Sequence, residues 1–394
     1  MGSVFTGRIQ SLSIGKETSW NVPVPTTDAL PHTGADPDLK LDYIEAATKM
    51  GSRALQGFVR VNQEGNLNVP FEVNAESLGF FLKGGLGQEQ LTAGTPTHHA
   101  FTMLNATALP SWTLNIGMGG YKVIKASGAI LNTLSLQISP KAIIKGTAQY
   151  IYAQETDAAL FFSPSSVSTV SSQITITNHG LTAGQKVRFY AKTGDVLPAP
   201  LVAGIDYLVV VVSSSVITLT DINAVAITLS TAGTTATSFE LDPQDMLLPP
   251  TNRLLTFADG QISLGGSVSG EIRDASVDFG NSLQTDDFRI GSGAQLASVP
   301  AGKFTCKGKL KVVFNPDSAP LYADYLNSTS TSVVLTINGS NGDQIVITMP
   351  IAMLTTHKYT VADSGILIDY DFQAIISGET PVTVDLYNTR TTIY

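Results

Sequence analysis

The stretch GNLNVPFEVNAESLGFFLKG, residues 65–84, decides the fold because a strand signal is followed at once by a helix signal. Apolar and polar residues alternate from Leu67 to Phe71, which is the period of a half-buried strand. Asn74 can then accept hydrogen bonds from the first turn of a helix, and Gly84 can adopt the left-handed conformation that ends one. The stretch therefore predicts a strand, a cap and a short apolar helix.

A second stretch, GKLKVVFNPDSAPLYADYLN at residues 308–327, aligns with the first without a gap. Its predicted helix start is Asp317 and its predicted helix stop is Asn327. The identical pairs are Leu67 with Leu310, Val69 with Val312, Phe71 with Phe314, and Leu78 with Leu321. Chance similarity between two strand–helix units is the alternative explanation. The shared core positions, together with both helix ends, favour an internal duplication.

Composition narrows the class of protein. A chain of 394 residues can bury two or three cores, and a formal charge of −9 argues against a basic face that binds nucleic acid. Only 14% of residues are charged, and 35 Gly and 19 Pro indicate a β-rich chain with many turns. The single cysteine, Cys306, excludes a disulfide within the chain and suits a reducing cytoplasm. No apolar run has the length of a signal peptide or a membrane span, so we expect a soluble protein.

The two related units place the domains. Residues 51–160 and 250–380 each carry one strand–helix unit with further strands after it. Between them, residues 163–245 contain few charges and short strands separated by turns at spacings of roughly 8 to 15 residues. This middle segment predicts a small β-sandwich or barrel inserted at the outer surface.

Two polar terminal segments flank these domains. Residues 1–50 carry prolines and predict an extended arm, with Trp20 as its one large anchor; a frayed terminus is the alternative. Residues 381–394 form a polar tail, a second candidate for an arm that contacts another subunit.

The sequence contains no catalytic or metal-binding motif that stands out. His98 and His99 are adjacent, so in a strand their rings point to opposite faces and cannot share a metal ion. His179 lies in an Asn-His-Gly turn, and Cys306 lies beside a strand, where a small buried side chain is the usual role. We therefore predict no enzyme, no cofactor and no metal site.

Paired carboxylates are the remaining candidate for chemistry. Asp369 and Asp371 lie two residues apart, on one face of a predicted strand. Such a pair could serve acid–base chemistry or bind calcium, whereas a solvated strand face is the simpler explanation. A third explanation is an acidic face that lines a channel and repels the phosphates of DNA.

Three stretches of the sequence resemble phage tail tube proteins. They are GKETSWN at 15–21, the GxLxVxF strand at 65–71 and LGFFLKGGLG at 78–87. The resemblance covers most of the chain apart from residues 163–245. That insert separately resembles small β-domains that decorate phage tail proteins, through NHGLTAG at 178–184 and LPAPLVAG from residue 197.

The resemblance implies a mainly β fold, with two tandem tube domains and an Ig-like insert. Each tube domain would be a β-sandwich or half-barrel with one flanking helix. Subunits of the family join their sheets edge to edge around a channel, and the rings stack into a tube in the virion tail. Most members carry one domain and form hexamers, so a duplicated chain would form a trimer with pseudo-sixfold symmetry.

The resemblance also implies partners and residue roles. The tube would hold the tape-measure protein, meet terminator and distal tail proteins, and pass DNA without binding it specifically or contacting a membrane. Trp20 becomes the candidate anchor of a stacking arm, and Asp369 and Asp371 become candidates for the channel face. The residues expected to pack the helices, some against neighbouring domains, are Leu78, Phe80, Phe81, Leu82, Leu321, Tyr322 and Tyr325.

Two other functions stay open. A tail terminator or distal ring protein would share the fold but occur in few copies, and it would not polymerise alone. A carbohydrate-binding or hydrolytic protein of the virion surface would need an aromatic-lined groove with paired acids. The chain has only two Trp residues, which disfavours that groove.

Overall fold

A computed structural model of the chain describes residues 10–45, 57–118, 122–243, 253–268, 271–362 and 365–394. The predicted domain boundaries at residues 51, 245 and 250 lie outside the described residues. The described residues form many strands and two α-helices, which confirms the prediction of a mainly β fold.

The strands, in chain order, are β1 (Ser11–Lys16), β2 (Asp28–Ala29), β3 (Asp36–Glu45), β4 (Phe58–Glu72), β5 (Gly87–Thr92), β6 (Thr97–Met103), β7 (Trp112–Met118), β8 (Lys122–Ile138), β9 (Lys145–Tyr152), β10 (Gln154–Asp157), β11 (Leu160–Phe162), β12 (Val167–Ser168), β13 (Gln173–Thr175), β14 (Lys186–Tyr190), β15 (Tyr207–Ser213), β16 (Val216–Thr220), β17 (Phe239–Pro243), β18 (Gly260–Leu264), β19 (Ser267–Val268), β20 (Ile272–Gly280), β21 (Thr305–Val313), β22 (Thr331–Asn338), β23 (Gln344–Ala362), β24 (Gly365–Ala374) and β25 (Thr383–Asn388). The helices are α1 (Ala75–Leu86) and α2 (Ala319–Leu326).

One compact unit contains the described residues within 1–30, 112–128 and 154–249. In it β1 pairs with both β7 and β2, and β10 pairs with the first part of β8. The segment predicted as an extended arm, residues 1–50, thus contains a strand that is paired within its own chain. Leu12 and Ile14 of this strand are buried, because the short apolar alternation at 11–16 finds partner strands far away in sequence.

The same unit holds a separate sheet of seven strands, in the order β11-β17-β14-β15-β16-β13-β12. This sheet has an apolar core of its own, which includes Phe162, Phe189 and Phe239. The rings of Phe162 and Phe189 meet edge to face, with centroids 5.9 Å apart. The strands of the predicted insertion therefore form one all-β element with a core.

The other compact unit contains the described residues within 31–111, 129–153 and 250–394. Its larger sheet is antiparallel, in the order β3-β4-β9-β8-β20-β21-β24-β23. The order contains two four-stranded halves, β3-β4-β9-β8 and β20-β21-β24-β23. In each half the first two strands are consecutive in the chain, a helix follows the second strand, and the last two strands form a hairpin.

A smaller sheet in this unit has the order β5-β6-β25-β23-β22-β18-β19. The long strand β23 contributes its first part here and its second part to the larger sheet. The prediction of a C-terminal arm at 381–394 is corrected by β25, which lies in the middle of this sheet. Val384 and Leu386 are fully buried, because they alternate with polar residues and face the core.

Helix α1 begins where the sequence predicts and ends later. The Asn74 side chain accepts a hydrogen bond from the Ser77 N–H at 2.8 Å, which confirms Asn74 as the cap. The predicted end at Gly84 is wrong, because the helix continues to Leu86. Gly87 ends it with a φ of 84°, and its N–H donates to the Lys83 carbonyl.

For helix α2 the predicted start is wrong, whereas the predicted end is right. Its cap residue is Ser318 and not the predicted Asp317, because the Asn315 side chain accepts from the N–H groups of both residues and forms a turn ahead of the helix. Asn327 does follow the last helical residue, as predicted. The left-handed conformation falls one residue later, on Ser328, with a φ of 53°.

Candidate assembly interface

The two halves of the larger sheet share their internal register. Leu67 of β4 lies opposite Tyr150 of β9, and Leu310 of β21 lies opposite Tyr370 of β24. Both tyrosine hydroxyls are buried without a hydrogen-bond partner among the described residues. The gap-free alignment made from sequence therefore superimposes equivalent positions in the two halves.

A strand pair inside the chain joins the halves. Residues 133–138 of β8 pair with residues 275–280 of β20, and Val277 lies opposite Leu136. Asn281 directly follows β20 at the end of this strand pair. Its side-chain amide donates to the carbonyls of Gly85 and Leu131 at 3.1 and 2.9 Å. Two like halves are thus held edge to edge by backbone pairing.

The larger sheet has a polar face and an apolar face. On β20 the partly exposed residues are Asp274, Ser276 and Asp278, whereas the residues between them are buried. On β21 the lysines 307, 309 and 311 lie on the same polar side, opposite these residues in register. The face carries a groove of about 480 Å³, which is lined in part by Lys309, Lys311, Asp369 and Asp371.

The carboxylates on this face are paired with lysines. Asp371 lies 3.5 Å from the Lys309 Nζ, and Asp369 lies 3.7 Å from the Lys311 Nζ. Of the three explanations offered for this pair, a one-sided acidic face does not fit, because lysines on the neighbouring strand lie on the same face. Exposed pairs of this kind contribute little to stability, typically about 0 to 1 kcal/mol.

The predicted packing residues of α1 all lie in the core. Leu78, Phe81 and Leu82 are fully buried, and Phe80 is buried as well. The Phe81 ring stacks on Phe71 of β4, with centroids 4.1 Å apart. In these contacts α1 packs on strands of the unit to which it belongs.

The C-terminal residues cover the outer side of α1. The Tyr394 hydroxyl donates to the Glu76 carbonyl at 2.8 Å, and its ring meets Phe80 edge to face, with centroids 4.9 Å apart. Beneath this contact, the buried Glu89 carboxylate lies 2.9 Å from His99 Nδ1 and accepts from the Tyr394 N–H. The buried charge is thus surrounded by donors, which is the condition for burying a carboxylate.

Helix α2 is much less covered. Within the described part of the chain, no residue of α2 is buried. The three predicted packing residues, Leu321, Tyr322 and Tyr325, are half-buried. Tyr322 and Tyr325 pack on His357 of β23, with ring centroids 5.4 and 4.6 Å away. The two helices therefore have equivalent positions in the chain and different environments.

Trp20, the predicted anchor, lies in a short turn held by Glu17. The Glu17 carboxylate accepts from the Asn21 N–H, the Thr113 hydroxyl and the Gly128 N–H, each at 2.9 Å. The Trp20 side chain is half-buried, and its indole nitrogen is enclosed without a partner among the described residues.

Two strand edges of the larger sheet lack a partner in the described part of the chain. They are the outer edge of β3 and the outer edge of residues 353–361 in β23. Val361 is 76% exposed and Tyr359 is 40% exposed at the second edge. Such edges are templates for pairing with another chain. The end of the β3–β4 hairpin exposes further apolar side chains, namely Tyr43, Ile44, Phe58, Val59 and Val61.

Three side chains that were considered for chemistry, His98, His179 and Cys306, make structural contacts or are buried. His98 contacts Asp385 at 2.7 Å, and both nitrogens of His179 are hydrogen-bonded to backbone groups. Cys306 is buried, and burial with the nearby Asp278 raises the pKa of its thiol to about 12. In the described ranges, no group of three or more His, Cys, Asp or Glu side chains is placed to hold a metal ion.

Neither described helix has the length and apolar character that a membrane-crossing helix requires.

Comparison with known protein families gives a match. The family profile described as phage tail tube protein matches residues 7–386. A search of curated proteins finds no significant match. The family is structural, so its members act in the tail of the virion by assembly into the tube. The chain therefore belongs to the phage tail tube protein family.

Proposed function

We propose that three copies of the chain form one ring of the tail tube, and that these rings stack. Each copy supplies two four-stranded halves, so a ring contains six halves in a pseudo-sixfold arrangement around a channel. The two tube domains, residues 51–160 and 250–380, would then be products of a duplication. A ring that closes by rotation uses one type of head-to-tail contact at every subunit boundary.

The pairing of β8 with β20 carries this proposal. It joins the last strand of one half to the first strand of the other half. The second half ends on β23 and the first half begins on β3, and these are the two edges without a partner in the described residues. A neighbouring copy could therefore extend the sheet through a joint of the same kind.

Strand number favours three copies over one or two. A closed barrel of about eight strands has an interior filled by its own side chains. Two copies supply about 16 strands to a ring. With strands about 4.8 Å apart and tilted by about 40°, such a ring has a backbone diameter of about 32 Å. Three times eight strands give about 48 Å. After side chains line the wall, the larger ring leaves room for a hydrated double helix.

The polar face of the larger sheet is the proposed channel wall, with Asp369 and Asp371 among its residues. Lysines and carboxylates lie close together on this face, so it presents no continuous basic surface to phosphates. DNA would pass during ejection without specific binding. The tape-measure protein would occupy the same channel before ejection.

The remaining surfaces have proposed roles in assembly. Trp20 would anchor a contact between stacked rings, and the half-covered α2 would pack against a neighbouring domain through Tyr322 and Tyr325. The inserted segment, residues 163–245, would be an outward decoration domain with an Ig-like fold. Terminator and distal tail proteins would cap the tube, which assembles after synthesis in the host cytoplasm.

Negative-stain electron microscopy of the purified chain tests the proposed function. Tubes built from stacked rings support it. Single rings that do not stack would favour a terminator or distal ring protein. Separate copies at every concentration and salt condition would contradict self-assembly, and glycan binding would then be measured.

A further inference from the structure

We infer that β3 of one copy pairs with residues 358–361 of β23 in the next copy, with Leu39 opposite Val361 and Leu41 opposite Tyr359. This inference rests on the proposed ring and specifies its joint. The partner is a second copy of this chain.

The register follows from the joint that the chain already contains. In that joint Val277 lies opposite Leu136, and Phe279 lies opposite Leu134. Because the two halves share their internal register, each of these residues has an equivalent on a free edge. The four equivalents define which residues meet between copies.

The equivalents on β3 are found through its neighbour β4. Val277 lies opposite Gly308 on β21, and Leu39 lies opposite Gly65, the residue aligned with Gly308. Leu39 is therefore the equivalent of Val277. Two residues further along each strand, Leu41 is the equivalent of Phe279.

The equivalents on β23 are found through β24. Leu136 lies opposite Gly146 of β9, and Val361 lies opposite Ile366 of β24. Gly146 and Ile366 are each four residues before the aligned tyrosines, Tyr150 and Tyr370. Val361 is therefore the equivalent of Leu136, and Tyr359 is the equivalent of Leu134.

The resulting contact buries the apolar surface that is exposed at this edge. Val361 is 76% exposed and Tyr359 is 40% exposed, and both lie on the apolar side of the sheet. Leu39 and Leu41 are half-buried on the same side of β3. Cross-strand pairs of branched and aromatic side chains are the contacts that stabilise neighbouring strands.

Charge is complementary in the same register. Gly280 lies opposite Thr133 in the internal joint, and their equivalents are Asp42 and Lys358. A carboxylate on one copy thus meets a lysine on the next. Asp42 lies 3.2 Å from the Lys40 Nζ of its own chain, so Lys358 would be a second cation near this carboxylate.

Cysteine pairs test the register. The variant Leu39→Cys with Val361→Cys places two thiols directly opposite each other between copies, where Cβ atoms are about 4.5–5.5 Å apart. The control, Leu41→Cys with Val361→Cys, places them diagonally at about 7–8 Å, which is beyond the reach of a disulfide. The native Cys306 is buried and does not compete.

Under mild oxidation of assembled rings, the first variant is expected to give covalent dimers and trimers on a denaturing gel that disappear on reduction. The control is expected to give at least tenfold less. Rings that form normally but cross-link only in the control, or in neither variant, would overturn the inferred register and leave the proposed function standing. A chain that forms no rings in microscopy would overturn both.

Charge exchange provides a second test that does not depend on oxidation. Asp42→Lys and Lys358→Asp are each expected to reduce ring yield severalfold, because like charges then face each other across the joint. The double variant is expected to recover most of the yield. Lys192→Asp is the matched control. Lys192 is exposed and lies in the unit that contains the seven-stranded sheet, so this variant should leave the ring yield unchanged. Failure of the double variant to recover, with normal folding by circular dichroism, would contradict the pairing.

Discussion

The ring of Tyr152 occupies the space next to Gly65, so closely that a Cβ atom on Gly65 would lie 1.9 Å from it. The two residues are opposite each other on β9 and β4. The other half of the sheet repeats the arrangement with Gly308 and Phe372, where a Cβ would lie 2.3 Å from the ring. In both halves a glycine therefore makes room for an aromatic ring in the apolar core.

Gly65→Ala and Gly308→Ala are each expected to destabilise the fold. The added methyl group would overlap a buried ring, and overpacking of this kind costs about 1–3 kcal/mol. Urea unfolding followed by far-ultraviolet circular dichroism, which reports on the strands of both units, measures the change. Gly57→Ala is the control, because a Cβ there meets no atom of the described residues within 4 Å. Equal effects at all three positions would show that the rings do not constrain the glycines.

Tyr394→Phe is expected to lower the free energy of unfolding by about 1–2 kcal/mol, because buried polar groups lose a partner. The hydroxyl donates to the Glu76 carbonyl and accepts from the Asn388 side chain at 2.6 Å. Chemical denaturation measures the difference. An unchanged midpoint would mean that the C-terminal residues do not hold α1 as the contacts indicate.

The thiol of Cys306 is expected to stay unreactive in the folded chain at pH 8. Burial raises its pKa to about 12, so the reactive thiolate is scarce as well as inaccessible. Titration with a thiol reagent should give no rapid reaction in buffer and one equivalent in denaturant. Rapid reaction of the native chain would show that this part of the core is open.

Asp259 is expected to contribute stability that is lost in acid. Burial acts to raise the pKa of Asp259, but hydrogen bonds from Thr256 and the nearby Arg253 outweigh it, and the pKa lies below its usual value. A lowered pKa means that the contribution is present above the unfolded pKa, about 4, and is lost as the pH falls through the folded value. The free energy of unfolding of the native chain and of Asp259→Asn, measured at intervals between pH 6 and pH 2, should converge as the pH falls. A difference that stays constant over this range would contradict the assignment.

Asp369→Asn is expected to change the free energy of unfolding by less than about 1 kcal/mol, because its pair with Lys311 is exposed. The residue would then be free to serve the channel wall instead of the fold. Urea unfolding of the unassembled chain measures this. A loss of several kcal/mol would assign Asp369 a structural role.

Local patterns predicted the elements whose signals are local. Alternation gave β4 and β21, and the Asn74 side chain gave the start of α1. The end of α1 was misplaced because Gly84, Gly85 and Gly87 can all adopt the required conformation, and only packing decides between them. The start of α2 was misplaced because the turn at Asn315 depends on a competing side-chain contact.

The surfaces that matter for assembly depend on pairing over long distances. Strand β25 lies in the smaller sheet because it pairs with β6, where Val384 is opposite Phe101. A short window of sequence cannot show a pairing between residues so far apart in the chain. The alternation in Asp36–Glu45 was a usable signal for β3, but the polar composition of its surroundings led to the prediction of an arm. Lys309 and Lys311 were overlooked as partners of the paired aspartates, since they lie on another strand.

Native mass spectrometry of rings released from short tubes tests the central claim most directly, because it counts the chains in one ring. The account predicts three chains per ring, with six similar lobes around the channel in end-on averages. Six chains per ring would contradict the claim that each chain supplies two equivalent halves, even if the tube itself is intact.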